Sequence, residues 1–454
     1  VESDYWIGIA TQQKGDNAAA VALLESFIKN NEKHQLTPLA IYALGSAQIA
    51  LGKKDEGSAT LAMLAEKFPE SQAAPYTYFM RSQLAGATQN VEEVNKLMQQ
   101  FIEKYPQDDK VYFAYDTIGQ NAARAAKPDE AITAYMEFAQ RYSENPKAAE
   151  ALYKIAEFQR GNAERLAANY SALNEANQTV WKDAIQSSVT TSEEMLAKYP
   201  ASPDLALGLQ SLMEAQRMLL RAELKTDAQV EEYFQQLAEK STDPGAKSKI
   251  LFTLAGFISS KDKARALAKM NEDYDASVIY SSRDLDVYGL ALVEDKKPDE
   301  ATAVFQKLAS DFPNPPGTAA TAAPPAIQEA QAISIFGLGR VAQEKKQTAE
   351  AGKLFQQLKA LYPWSSKVLE ADYGIAESLQ AEGKLDDALK LLPAIIRAQT
   401  GSAELRAKAF LLAGFIMKQK SAAEADPKQK SEFRGQAIDF FTKIAQLYAG
   451  VPIP

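Results

Sequence analysis

Apolar residues recur along the chain at spacings of four, three and four, each set opening on a small residue and closing on an aromatic one. The sets read Gly57, Leu61, Leu64, Phe68; Ala131, Tyr135, Phe138, Tyr142; Ala301, Phe305, Leu308, Phe312; Ala351, Phe355, Leu358, Tyr362; and Ala437, Phe441, Ile444, Tyr448. These spacings place each set on one face of a helix. Pro69, Pro106, Pro200, Pro313 and Pro363 directly follow the closing aromatic of their units, and proline cannot continue the helical ladder. Twelve residues ahead of the small position an apolar residue precedes glycine, at Ile7-Gly8, Leu44-Gly45, Ile118-Gly119 and Leu338-Gly339, marking the crossing point of a partner helix. Five residues ahead of it stand Gly15, Gly52 and Gly383, which suit a left-handed helix end. Each unit therefore holds two helices.

Phe68, Tyr105 and Tyr142 are 37 residues apart, and another 37 back is Asn31, where the first apolar stretch ends. A period of this length predicts stacked helix pairs that form one elongated body. The period breaks in three places. Tyr142 to Tyr199 spans 57 residues, and 147–198 stays helix-like without an interior proline, so one helix pair is lengthened. Phe312 to Tyr362 spans 50, the addition being a Pro/Ala-rich surface loop at 313–326. The polar stretch from Gln419 to Ser431 reads as a long connection or a frayed helix end. Weaker copies end near Ser241, Tyr274 and Gln399. The expected organisation is an N-terminal array over 1–199, irregular units over 200–275 and a C-terminal array over 276–454.

The order aromatic, Leu-Gly, small, aromatic, Pro resembles the tetratricopeptide repeat, and the resemblance runs along almost the whole chain. It implies an all-α, right-handed superhelical solenoid of about eleven antiparallel helix pairs. The residues added to the family's usual period of about 34 follow the proline, as in Pro69-Glu70-Ser71, Pro106-Gln107-Asp108, Pro200-Ala201-Ser202 and Pro363-Trp364-Ser365. Their Ser or Asp is expected to cap the next helix. This longer form resembles tetratricopeptide proteins of bacterial cell envelopes, such as the Tol-Pal accessory protein and the outer-membrane assembly lipoproteins. That likeness implies the periplasm or cell envelope, with a cytoplasmic assembly platform as the alternative.

In the 37-residue register one place in successive first helices is held by Tyr5, Tyr42, Phe79, Asp116 and Tyr153, and later by Phe336, Tyr373 and Phe410. In the family this place lies on the concave wall, so the resemblance implies a ladder of rings able to hold a protein or peptide partner. Tyr76, Gln83, Phe113, Gln120 and Arg124 are expected beside it. Packing of one unit on the next is the competing role for each ring, contributing roughly 1.5–3 kcal/mol apiece on burial. At the far end, Phe440, Phe441 and Leu447 form an edge suited to self-association or a partner, unless the last helix turns its polar side outward.

Composition narrows the chemistry. The 454 residues carry 50 Lys and Arg against 59 Asp and Glu, a net charge of −9 without basic runs, which argues against nucleic acid. There is no cysteine, hence no disulfide, thiolate or cysteine-held metal. The longest apolar run near the end, Phe410 to Met417, has 8 residues where about 20 are needed to cross a bilayer. The chain opens at Val1 without Met, so an upstream segment carrying a signal peptide or lipid anchor is expected. His34, the single histidine, lies in a polar link and supports neither a metal site nor a catalytic triad. Gly337 and Gly339 lack a dinucleotide loop's third glycine, and Gly52-Lys53-Lys54 lacks the phosphate-loop spacing. Asp299-Glu300 and Asp386-Asp387 open second helices, where negative charge suits the dipole. Asn169-Tyr170-Ser171 and Asn177-Gln178-Thr179 match the glycosylation sequon but read as helix surface. No catalytic, cofactor-binding or metal-binding residues are expected. The rival reading is a carbohydrate- or peptidoglycan-binding solenoid of the transglycosylase kind.

Overall fold

The computed structural model describes residues 2–166 and 169–451. Among them are 22 α-helices, two short 3₁₀ turns and no strand. The chain divides into two compact units at Asp227/Ala228, inside the region of weakest repeats. In the first unit α1 (Glu2–Gln13) and α2 (Asn17–Asn30), α3 (Thr37–Ala50) and α4 (Lys54–Lys67), α5 (Ala74–Ala87) and α6 (Val91–Lys104), α7 (Val111–Arg124) and α8 (Pro128–Arg141), and α9 (Ala148–Leu166) and α10 (Glu175–Lys198) form successive pairs, followed by α11 (Leu205–Arg221). The second unit begins with α12 (Asp227–Lys240). It continues with the pairs α13 (Pro244–Ser259) and α14 (Lys263–Asp273), α15 (Ser282–Glu294) and α16 (Pro298–Asp311), and α17 (Pro325–Glu344) and α18 (Thr348–Leu361). The pairs α19 (Val368–Ala381) and α20 (Leu385–Arg397), and α21 (Ala403–Ala423) and α22 (Pro427–Leu447), complete it. In both units first helices touch the next first helix, as α3 does α5 and α15 does α17, more closely than second helices touch one another. First helices therefore form the inner row.

The repeating set builds the core. Leu61, Leu64, Phe138, Phe305, Leu308, Phe355 and Leu358 are wholly buried, as are the small residues Ala20, Ala131, Ala301, Ala351 and Ala388. Glycines on first helices face the residue one turn after the small position. A β-carbon on Gly289 would come within 2.5 Å of the Phe305 ring, and one on Gly337 of the next first helix would meet the same ring from the other side. Phe355 is likewise held between Gly339 and Gly374. The ring is thus the knob, and two successive first helices supply its socket.

Six second helices end on the expected aromatic in one shared conformation. Phe68, Tyr105, Tyr142, Tyr199, Phe312 and Tyr362 share φ between −133° and −123° and ψ between 45° and 62°. Tyr142 adopts this conformation although Ser143 follows it, so packing as well as proline sets the stop. Tyr105 Oη donates to the Pro69 carbonyl at 3.0 Å and Tyr199 Oη to the Ser143 carbonyl at 2.8 Å. Each hydroxyl thereby ties its unit to the link that follows the preceding one.

Two expectations are corrected. The Ser or Asp after the proline is not the cap of the next helix: Ala73 and Lys110 hold the cap position without a side-chain bond. Instead Ser71 accepts from the Ala73 N–H at 3.2 Å, Asp108 from Lys110 at 2.9 Å and Ser365 from Lys367 at 3.2 Å, forming a turn just ahead of the helix. His34 occupies the same register, and its Nδ1 accepts from the Leu36 N–H at 3.2 Å. The stretch 419–431 is mostly helix rather than connection. Asp426 accepts from the N–H groups of Lys428 and Gln429, Pro427 opens α22, and only 424–426 separates two 21-residue helices. The lengthened pair at 147–198 takes the form of 19- and 24-residue helices, and the Pro/Ala-rich segment after Phe312 is a link with one 3₁₀ turn.

Candidate functional site

The inner row of the first unit carries an exposed apolar stripe. Leu39, Tyr76 and Phe113 lie at the same place in α3, α5 and α7, 37 residues apart, and are 38%, 46% and 57% exposed. They face outward because the core side of each helix is already taken, in α3 by Ala40, Ile41, Ala43, Leu44 and Ala47. One turn further on, Tyr42 and Phe79 are half-buried and back the stripe. Phe79 packs on the core ring Phe101 at 4.6 Å and on Phe113 at 5.6 Å, so an exposed ring is continuous with buried ones. Burial raises the pKa of the Tyr42 hydroxyl, and its neighbour Tyr76 adds to the effect. The ammonium of Lys110 stands 5.0 Å over the Tyr76 ring.

Towards the C-terminal ends of the same helices the face turns polar. Asp116 replaces the aromatic of its register and collects three donors: Gln120 Nε2 at 2.6 Å, Tyr135 Oη at 2.8 Å and Lys154 Nζ at 2.5 Å. Arg124 bonds Gln120 at 3.3 Å and is exposed, as is Gln83. Apolar rings with exposed amides and a guanidinium beside them suit an extended or helical peptide, whose side chains seek the rings and whose backbone seeks the amides. Tyr153 of α9 is half-buried, its hydroxyl pKa raised by burial and by Glu157.

The other expected rings occupy different surroundings. Tyr5, Phe336 and Phe410 are buried at 5–7% exposure and pack within their units. Tyr5 lies against Phe27 at 5.8 Å, Phe336 against Phe355 at 5.8 Å and Phe410 against Phe440 at 6.2 Å. Tyr373 is half-buried, its hydroxyl pKa raised by burial and by Glu377. Ion pairs cover this part of the second unit: Arg340 with Glu377 at 3.0 Å and Lys367 with Asp286 at 2.6 Å, the latter ammonium also 5.2 Å over Phe336. The ring register is thus half-buried at Tyr42, Phe79, Tyr153 and Tyr373 and buried at Tyr5, Phe336 and Phe410, and in α3, α5 and α7 the exposed positions are those one turn earlier, Leu39, Tyr76 and Phe113. Leu39 was missed as a site residue because it is not aromatic. Its signal was in the period all the same, one helical turn before Tyr42 as Tyr76 is before Phe79.

Among the described residues no group of three or more His, Asp or Glu is placed to hold a metal ion, and no helix is long and apolar enough to cross a membrane. Phe440 turns inward on Phe410, while Ile438 and Leu447 of the last helix are exposed.

Residues 39–71 and 334–363 match the tetratricopeptide-repeat family model. The first segment spans α3 and α4, the second α17 from Ser334 together with α18. These two segments are tetratricopeptide repeats, in a chain whose described residues fold as stacked helix pairs within each unit. No curated protein matches the sequence significantly. Solved structures similar to the chain include yeast Tom70, at 15% identity over 91% of this chain and 92% of that one with a TM-score of 0.32. The APC/C hetero-tetramer Cut9-Hcn1 is 14% identical over 96% and 89%, with a TM-score of 0.28. The P58(IPK) TPR domain is 12% identical over 97% and 98%, with a TM-score of 0.25.

Proposed function

We propose that the protein is a non-enzymatic scaffold that holds a segment of a partner protein against the inner row of its first unit. The observation that carries this reading is the stripe Leu39, Tyr76 and Phe113, three exposed apolar side chains at one repeat register backed by half-buried rings. Single exposed apolar residues are ordinary on protein surfaces, whereas a periodic row of them costs solubility. The test is photo-crosslinking from benzoylphenylalanine at Tyr76 and at Phe113 in the native organism, with Glu66 of the outer row as control. A discrete protein adduct from both inner positions and none from Glu66 is the expected result. Equal labelling from all three positions, or none from the inner two, removes the reading. The proposed compartment is the bacterial cell envelope, on the resemblance of the Tyr-Pro-x-Ser units alone. Fractionation of the native organism tests it, and recovery of the protein with cytoplasmic markers overturns it.

A further inference from the structure

The last helix pair carries a second surface, chemically unlike the first. Between the C-terminal half of α21 and the stretch of α22 from Pro427 to Phe441 lies an open cleft of about 570 Å³. Its apolar floor includes Pro427, Ile438 and Phe441, with Ile438 58% exposed. The floor continues to the exposed ring of Phe415, 5.6 Å from Phe441. Lys418, Lys430 and Arg434 line the same cleft, and no carboxylate does.

The neighbouring acidic groups are engaged elsewhere. Asp426 caps α22, Glu424 accepts from the Asp426 N–H and Glu432 accepts from Gln436. Lys420 and Lys443, on the same two helices, are paired with Asp386 and Asp439. The three cleft cations have no such partner among the described residues. In a chain of net charge −9, three unpaired cations around an apolar cleft are a local reversal of sign. That reversal fixes the charge of what fits there.

We infer that this cleft receives an acidic amphipathic helix of a partner protein, its apolar residues seated on Ile438 and Phe441 and its carboxylates facing Lys418, Lys430 and Arg434. The lining residues of α22 run from Pro427 to Phe441, a rise of about 21 Å, which matches a helix of about fourteen residues. Apolar anchors at i, i+4 and i+7 would then meet the floor while the flanks meet the cations.

The test is selection from a displayed library of helices of about this length. Their apolar anchors are fixed, and their remaining positions are drawn from Glu, Gln and Lys. The full chain serves as bait at near-physiological salt. Glu enrichment is expected on the flanks. Affinity for a selected acidic peptide should fall by about tenfold or more in the Lys418→Glu, Lys430→Glu, Arg434→Glu variant. Raising the salt should weaken binding, and Phe113→Ala should leave it unchanged. Circular dichroism checks the fold, and the corresponding Gln variants replace the reversals if these do not fold. No enrichment, enrichment of Lys or Gln, or undiminished binding by the variants overturns the inference. Self-association that the triple reversal abolishes would make a second copy the occupant and overturn it equally.

Discussion

Eight first helices end on a residue of positive φ, and only three of these residues are glycine. Gly15, Gly52 and Gly383 have φ of 77–89°, whereas Gln89, Ala126, Glu223, Lys296 and Lys346 are held at 56–62°. In every case the next residue's N–H reaches back five positions, as Lys127 does to the Ala122 carbonyl at 2.9 Å and Gln347 to Ala342 at 2.8 Å. A side chain in this conformation costs about 1–2 kcal/mol, and glycine returns part of that relief as greater freedom of the unfolded chain. Ala126→Gly and Lys346→Gly are therefore each expected to stabilise the protein by about 0.5–1 kcal/mol, read from the midpoint of urea unfolding. The opposite sign is expected at the aromatic socket. Gly289→Ala puts a methyl group into the Phe305 ring and should cost about 1–3 kcal/mol, while Gly256→Ala, with nothing within 4 Å, should not. The glycine ends were legible in the sequence because glycine announces left-handed backbone. The five non-glycine ends were not, since only their place five residues before a small or apolar side chain marks them, one that is buried in four of the five, at Val94, Ala131, Ala301 and Ala351.

Helix pairs differ most in what faces the inner row, and this is where the sequence was least readable. The 37-residue register located one position in each of eight first helices, yet Phe79 at that position reaches the surface stripe while Phe336 is covered by Lys367. The covering residue comes from the link between α18 and α19, a tertiary relation that the ring register alone does not encode. Lys367 meets Asp286 of α15, with Glu329 of α17 and Glu370 of α19 close by. Burial holds the Asp286 and Glu370 carboxyls above the ordinary carboxylate range, against the pull of Lys367; Glu329 raises both further, and Asp286 adds to the rise of Glu370. A carboxyl whose folded pKa is raised keeps a proton that the unfolded chain has released. Its contribution is fully present below the unfolded pKa of about 4 and is lost as pH rises through the folded value. Glu370→Gln is accordingly expected to raise the melting temperature at neutral pH and to flatten its decline above pH about 4. Asp286→Asn should raise it less than Glu370→Gln does, because it also strips Lys367 of its 2.6 Å partner. Melting curves across this pH range distinguish the two; equal effects would mean that the carboxyls do not differ in their dependence on Lys367.

At the scale of the molecule, repeat construction makes stability a sum over neighbouring pairs rather than the property of one closed core. The first unit illustrates this. Its core residues run from Tyr5, Leu24 and Phe27 through Phe101 and Phe138 to Met195, with each pair packed on the next. The entire stripe of Leu39, Tyr76 and Phe113 lies within it. Residues 1–227 produced alone are therefore expected to fold, to keep the helical signal per residue of the full chain, and to carry the inner-row binding activity undiminished. The acidic-peptide cleft of α21 and α22 should be absent from that fragment and present in 228–454. Circular dichroism and hydrogen exchange of the two halves, followed by the crosslinking from Phe113 and the peptide selection in parallel, test the division. If 1–227 folds but loses the Phe113 adduct, the stripe is insufficient by itself and the partner must also engage the second unit. If it exchanges its amides throughout as an unfolded chain does, the first unit's stacked pairs are not stable alone, and stability has to be reckoned over both halves together.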